Sequence, residues 1–229
     1  MKKKKVAIFD VDGTIFRGSL LIELVEVLIE RGIFKVEARR LYQDEKFRWL
    51  DRKGDYENYI NAVVASFMKN LKGVTYGDFK DAADTVVARY HDRTYRYTRD
   101  LVIELRRKGY YLLAVSHSPK GIVDSFCKRL GFNKIYGMFY ELGPSDRFTG
   151  TVSDAHLIHN KGTILRRAIL KENLTLSGSV GVGDTEGDIA FLELVDKPIC
   201  FNPNKKLFTY AKRLGWKVVV ERKDVIYKL

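Results

Sequence analysis

Residues 5–15 read Lys5-Val6-Ala7-Ile8-Phe9-Asp10-Val11-Asp12-Gly13-Thr14-Ile15, and the reading of this stretch decides the fold. The apolar run is short enough for a buried strand, and it stops at two aspartates one residue apart before a Gly-Thr turn. In an open parallel sheet the carboxyl ends of the strands face the ligand crevice, which puts Asp10 and Asp12 where a substrate binds. Two carboxylates this close repel unless a cation or a proton offsets the charge. Alone, the pair fits a metal site, an acid-base pair of the glycosidase kind, or a capped turn.

Working outward, the pattern after this strand is helical. Ser19 is placed to cap a helix bearing Leu20, Leu21, Leu24, Val25 and Leu28 and ending at Gly32. A less regular helical stretch covers about Val36 to Leu50. Tyr56, Tyr59, Ile60, Val63, Val64, Phe67, Met68 and Leu71 then recur at helical spacing, and a further helix is expected around Asp78 to Tyr95. From Thr98, expected to cap a short helix, strands and helices alternate. Tyr110 to Val115 ends in Ser116-His117-Ser118-Pro119, with Pro119 suited to the first position of the next helix. Ile135 to Leu142 and Phe148 to Val152 flank a Gly-Pro-Ser-Asp turn as a hairpin. A helix opens at Lys161, a strand near Ser179 to Val182 runs into Gly183-Asp184, and helix, strand, helix and strand finish the chain. The expectation is an α/β fold: a three-layer, Rossmann-like core of parallel strands, residues 1–16 and 98–229, with an inserted all-helical cap, residues 17–97.

Composition limits the function. The 229 residues carry a net charge of +12, which attracts phosphorylated small molecules, nucleic acid or anionic lipid. The excess basic residues are scattered and concentrated towards the termini, as in Lys2 to Lys5 and Lys205 to Lys228, so a dedicated nucleic-acid patch is not expected. No apolar window approaches the roughly 18 residues of a membrane span, and the basic start lacks the apolar region of a signal peptide. Cys127 and Cys200 lie far apart in apolar stretches, reading as small core residues in a reducing compartment. The expected location is cytoplasmic; oligomeric state has no signal.

Three strand-like runs end in complementary polar clusters: Asp10-x-Asp12, Ser116-x-Ser118, and Gly183-Asp184-x-x-x-Asp188. Asp184 and Asp188 lie on one side of a first helical turn if a helix starts just after Asp184. Four carboxylates at one sheet edge suit a hard divalent cation, and the absence of His and Cys from these motifs favours magnesium over zinc. Magnesium in turn points to a phosphorylated substrate. Ser116 and the amides of the helix after it offer a phosphate cradle. Lys161 stands at a helix start, where the dipole disfavours a cation and a bound anion would relieve it. Each motif alone has a plain structural explanation, since aspartates cap helices, serines fill turns and lysines are solvated; their order along the chain does not.

Phe9-Asp10-Val11-Asp12-Gly13-Thr14, Val115-Ser116, Lys161 and Gly183-Asp184-Thr185-Glu186-Gly187-Asp188 together resemble the four motifs of the haloacid dehalogenase-like (HAD) superfamily of phosphohydrolases. The helical insertion resembles the type 1 cap, and its size, Ser-x-Ser-Pro and the tail Phe201 to Leu207 are similar to the phosphoserine-phosphatase-like branch. The resemblance implies Asp10 as a nucleophile forming an aspartyl-phosphate and Asp12 as general acid and then base. It implies magnesium on the Asp10 side chain, the Asp12 backbone carbonyl and Asp184, with Asp188 supporting the metal shell or Lys161. Ser116 and Lys161 would stabilise the phosphoryl oxygens, with Gly13 and Thr14 shaping the turn beside them. His117 is counted with the phosphate-binding residues. The substrate is a small phosphorylated metabolite. Transfer to an acceptor hydroxyl and polyanion binding on a non-catalytic fold are the alternatives.

One departure stands out. An acidic residue that grips the substrate amine in phosphoserine phosphatases is matched here by Ser19. His156 and His159, three apart, could bind metal on a helix but read as surface histidines in the absence of a third ligand, and the aromatic residues Trp49, Tyr56, Tyr59 and Phe67 could line a substrate pocket, although their helical spacing is first explained by core packing.

Overall fold

The computed structural model describes residues 3–153 and 160–229. Its centre is an eight-stranded sheet in the order β4-β3-β2-β1-β5-β6-β7-β8. The strands are β1 (Lys4–Asp10), β2 (Tyr111–Pro119), β3 (Lys134–Leu142), β4 (Phe148–Ser153), β5 (Leu174–Gly183), β6 (Lys197–Phe201), β7 (Lys217–Arg222) and β8 (Val225–Lys228). The inner strands are parallel, as expected, and both edges turn antiparallel, at β3–β4 and β7–β8. The β3–β4 hairpin is the one anticipated from the Gly-Pro-Ser-Asp turn. The His156 and His159 pair falls outside the described residues.

β1 has no exposed residue from Val6 to Asp10 because both sheet faces are covered. Its side chains alternate between two cores: Ala7 and Phe9 pack into one, Val6 and Ile8 into the other. This explains an uninterrupted apolar run where a one-sided sheet would show alternation.

Between β1 and β2 the described chain contains helices and no strand: α1 (Leu20–Glu30), a 3-10 segment (Val36–Leu41), α2 (Gln43–Leu50), α3 (Tyr56–Leu71), α4 (Tyr76–Tyr90) and α5 (Arg96–Arg107). Ser19 caps α1 as anticipated, its hydroxyl accepting the Ile22 amide at 3.5 Å. The apolar core continues from Phe9 on the sheet into Leu24, Phe67 and Val86 on these helices. The β3–β4 hairpin supports them: Arg147 donates to the Gly73 carbonyl at 2.6 Å, the Phe148 amide donates to Val74 at 2.9 Å, and the Phe79 and Phe148 rings meet edge to face at 5.2 Å.

Two sequence expectations require correction. α5 begins at Arg96, ahead of Thr98, and Thr98 does not cap it; the buried Thr98 hydroxyl donates to the Thr14 carbonyl at 2.8 Å. The free amides at this helix start are taken by a distant carboxylate, Glu221 of β7, which accepts from Arg96 at 3.0 Å and Tyr97 at 2.8 Å. Likewise, Pro119 ends β2 and the following helix, α6, runs from Lys120 to Arg129. The strand continues past Ser116 through a register shift against β3, between Val115 and Pro119.

Candidate active site

Register places the motifs together. Asp10 is paired with Val115 on β2, one residue before Ser116, and Phe9 is paired with Val182 on β5, so Asp10 lies beside Gly183 and Asp184 follows. Three central strands therefore deliver Asp10, Ser116 and Asp184 to one sheet edge. Lys161 joins them from the first residue of the Lys161–Lys171 helix, which Asn160 caps.

Lys161 is buried, and its ammonium lies 2.5 Å from Asp10 Oδ1 and 2.6 Å from Asp188 Oδ1. The helix dipole penalty anticipated for a cation here is thus met by two carboxylates of the protein. Burial acts to lower the Lys161 pKa, but Asp10 and Asp188 outweigh it and hold the ammonium above the ordinary lysine range. Burial pushes the Asp10 carboxyl up to about 7 against the opposing pull of Lys161, and burial likewise pushes Asp184 well above the carboxylate range, with Asp10 and Asp188 adding to it.

Asp184 and Asp188 belong to a tight turn in which a 3-10 segment, Glu186–Asp188, precedes the short helix Ile189–Leu192. Asp188 is fully buried, and its Oδ2 accepts the amides of Asp184 at 3.0 Å and Thr185 at 3.1 Å. Asp188 therefore holds the turn and Lys161 at once. Gly183 and Gly13 permit the close approach. A Cβ on Gly183 would lie 2.5 Å from the Asp188 Cβ, and one on Gly13, whose φ is +76°, would lie 2.1 Å from Asp184 Oδ2.

Asp12 is bound differently from Asp10. Its Oδ1 accepts the Leu20 amide and its Oδ2 accepts the Ser116 hydroxyl, both at 2.6 Å, while Ser116 Oγ accepts the Ser118 amide at 2.8 Å. Burial raises the Asp12 pKa, and the hydrogen bonds from Ser116 and Leu20 pull against it. Thr14 donates to Asp184 Oδ1 at 3.3 Å. The Gly13 amide donates to the Phe16 and Gly18 carbonyls at 3.0 and 2.9 Å, which shapes the turn after β1. His117 is exposed on β2.

The arrangement fits a divalent cation. Asp10, Asp184 and Asp188 each bring one carboxylate oxygen to within 4.8 Å of one another. With Asp12, four acidic groups share this edge with the ammonium of Lys161, and burial, which raises the carboxyls of Asp10, Asp12 and Asp184, makes their charged forms costly without a cation beside them. All the donors are hard oxygens. Asp10 and Asp184 are the better ligands, because both oxygens of Asp188 already have partners.

Tyr56, whose spacing is first explained by packing, is 38% exposed and lies within electrostatic reach of this site. Burial raises its pKa, and the charges of Asp12 and Asp184 raise it further while the Ser19 side chain pulls it down. It opens α3 directly after the capping Asp55, a position that helical periodicity alone assigns to the core stripe. Its ring meets Trp49 at 5.4 Å and Tyr59 at 6.1 Å.

Comparison with known proteins agrees with this architecture. The haloacid dehalogenase-like hydrolase (HAD) family matches residues 7–193, and the chain belongs to that family. It is 26% identical over 224 residues to a histidinol-phosphatase of Neisseria meningitidis, covering 94% of this chain and 98% of the relative. It is 24% identical to the phosphoserine phosphatase SerB1 of Mycobacterium tuberculosis, covering 93% and 69%. A Bordetella pertussis protein of unknown function superposes with a TM-score of 0.76 at 19% identity, over 95% of this chain and 98% of that one. A structure described as a phospho-aspartyl intermediate analogue of phosphoserine phosphatase superposes with a TM-score of 0.63 at 21% identity, over 97% and 96%. Phosphoserine phosphatases thus stand among the proteins to which the chain is similar. Among the described residues no helix is long and apolar enough to cross a membrane.

Proposed function

We propose that the protein is a magnesium-dependent phosphomonoesterase that transfers the phosphoryl group of a small metabolite to Asp10 and then to water. The observation that carries this reading is Asp10, paired with Lys161 at a sheet edge that also holds Asp12, Ser116 and Asp184. Asp10 and Asp184 side chains and the Asp12 backbone carbonyl would hold magnesium, which when bound supplies positive charge for the phosphoryl oxygens. Lys161 orients the Asp10 carboxylate for attack on phosphorus and neutralises oxygens of the transferring group. Asp12, whose burial favours the protonated form, gives its proton to the leaving alkoxide and as a carboxylate then takes one from the water that cleaves the aspartyl-phosphate. The Ser116 hydroxyl turns from Asp12 to the phosphoryl group when substrate arrives. Gly13 and Thr14 hold the turn beside it, Asp188 keeps Lys161 in place, and the exposed His117 contacts the phosphate rim.

Residues 17–97 act as a cap over the core formed by 1–16 and 98–229, opening to admit substrate and closing to exclude water. Relatives named histidinol-phosphatase and phosphoserine phosphatase support a phosphorylated amino alcohol or amino acid. Ser19 is buried and caps α1, so it brings no carboxylate to a substrate amine, which counts against phosphoserine itself. The test is a screen of phosphorylated metabolites with magnesium, run beside Asp10→Asn. Phosphate release by the wild type and its loss in the variant are expected; equal turnover overturns the mechanism. Repeating the assay with added alcohols separates hydrolysis from transfer to an acceptor.

A further inference from the structure

Lys206 is the second residue of the Lys205–Leu214 helix, a position where the helix dipole disfavours a cation, and its side chain is 63% exposed. Neither helix stability nor burial accounts for its placement. Its ammonium lies 2.6 Å from Glu186 Oε1 and 3.1 Å from Glu57 Oε2. Glu186 opens the 3-10 turn between Asp184 and Asp188, while Glu57 follows Tyr56 in the first turn of α3. The same segment holds the turn twice more: the Asn204 amide donates to the Asp184 carbonyl at 2.9 Å, and the Asn204 side chain donates to Glu186. Residues 204–206 thus grip the loop of the candidate metal ligand and reach from it to the inserted helices.

We propose that Lys206 is a positioning residue: by bridging Glu186, in the turn that follows Asp184, and Glu57 it seats the first turn of α3 against that turn, and so sets the affinity for the phosphorylated substrate. The inference rests on the phosphatase reading for its kinetic consequence. It does not rest on that reading for the tether itself. Lys206 touches no reacting group, so its loss acts on substrate binding more than on the chemical step.

The test compares the wild type with Lys206→Met, Glu57→Gln and the double variant, using p-nitrophenyl phosphate with magnesium, and follows amide hydrogen exchange of residues 55–59. Lys206→Met is expected to raise KM roughly two- to fivefold, the scale of an exposed ion-pair network, with kcat changed by less than about twofold. Exchange at 55–59 is expected to accelerate, including at the Asn58 amide bonded to Asp55 Oδ1 at 2.8 Å. Glu57→Gln should reproduce both effects, the double variant should add nothing to them, and Lys206→Arg should restore them. Wild-type KM and exchange in Lys206→Met, or additive effects in the double variant, overturn the inference and leave the phosphatase reading standing. A wild type inactive on every phosphomonoester overturns that reading instead, and the exchange comparison still decides whether Lys206 tethers α3.

Discussion

The ammonium of Lys161 sits 2.5 Å from Oδ1 of Asp10, although 151 residues separate them. Both side chains are almost wholly buried, with side-chain exposures of 4% and 6%. In such surroundings removing one partner costs far more than the pair contributes, because a charge is left without compensation.

Lys161→Met should therefore destabilise the protein by about 3–5 kcal/mol at neutral pH. It leaves Asp10 and Asp188 without their ammonium, and protonating Asp10, whose carboxyl is already held up to about 7, relieves part of the cost. The deficit should shrink as pH falls from 8 to 5, measured by urea unfolding of variant and wild type at each pH. A deficit independent of pH would contradict the charge assignment. Activity should fall by about 10²–10³, the range seen when one preorganised donor is lost.

A second pH dependence comes from Asp10 itself. Its carboxyl is held up to about 7, against roughly 3.9 in an unfolded chain. Between those values the folded protein keeps a proton that the unfolded chain has released. Rising pH therefore removes stability across the window from about 4 to about 7 and has no further effect through this group outside it. In metal-free protein, wild type should lose stability relative to Asp10→Asn over that window, since asparagine does not titrate. Excess magnesium should flatten the difference by favouring the ionised carboxylate, with proton release on binding detectable by calorimetry in two buffers of different ionisation heat.

The strand-end residues were legible because the information is local: an apolar run stopping at a carboxylate or hydroxyl marks the ligand-facing edge of a parallel sheet, and this brings Asp10, Asp12, Ser116 and Asp184 to one edge. Partners drawn from elsewhere in the chain leave no such mark. Lys161 invites an anion; the resemblance sets Asp188 to support it or the metal shell, but nothing local in the sequence pairs it with Asp10. The spacing of Asp184 and Asp188 places them on one side of a turn, where their carboxylates do approach; that Asp188 also accepts the amides of 184 and 185 depends on the 3-10 geometry of the turn. Thr98 has the chemistry of a helix cap, and the buried carbonyl of Thr14 claims its hydroxyl. Helical periodicity likewise explains Tyr56 first as packing; that it stands partly exposed, within electrostatic reach of Asp12 and Asp184, depends on how α3 packs in the folded chain.

Gly13→Ala tests how tightly the turn after β1 is fitted to Asp184. The added Cβ would meet Asp184 Oδ2 at 2.1 Å, and a φ of +76° strains any residue with a Cβ. Asp184 must move, which displaces a candidate metal ligand. The expected outcome is a loss of about 1–3 kcal/mol of stability together with weaker magnesium activation, read from the metal concentration giving half-maximal activity. Retained activation with reduced stability would place Asp184 outside the metal site.

The carboxylate of Glu221, on β7, caps α5 by taking the amides of Arg96 and Tyr97. α5 in turn carries Thr98, whose hydroxyl binds the Thr14 carbonyl in the turn that bears Asp12 and Gly13. Glu221→Ala should cost about 0.5–2 kcal/mol, the range for a lost helix cap, measured by thermal unfolding. Because a carboxylate is also favoured by the helix dipole, Glu221→Gln should recover part of that loss through hydrogen bonding alone. Local exchange should accelerate first at the amides of 96 and 97 and then at 98–99, while β1 amides, buried between β2 and β5, stay protected. If the β1 amides lose protection as well, the cap supports the sheet as a whole, and α5 does not unfold as a separate unit.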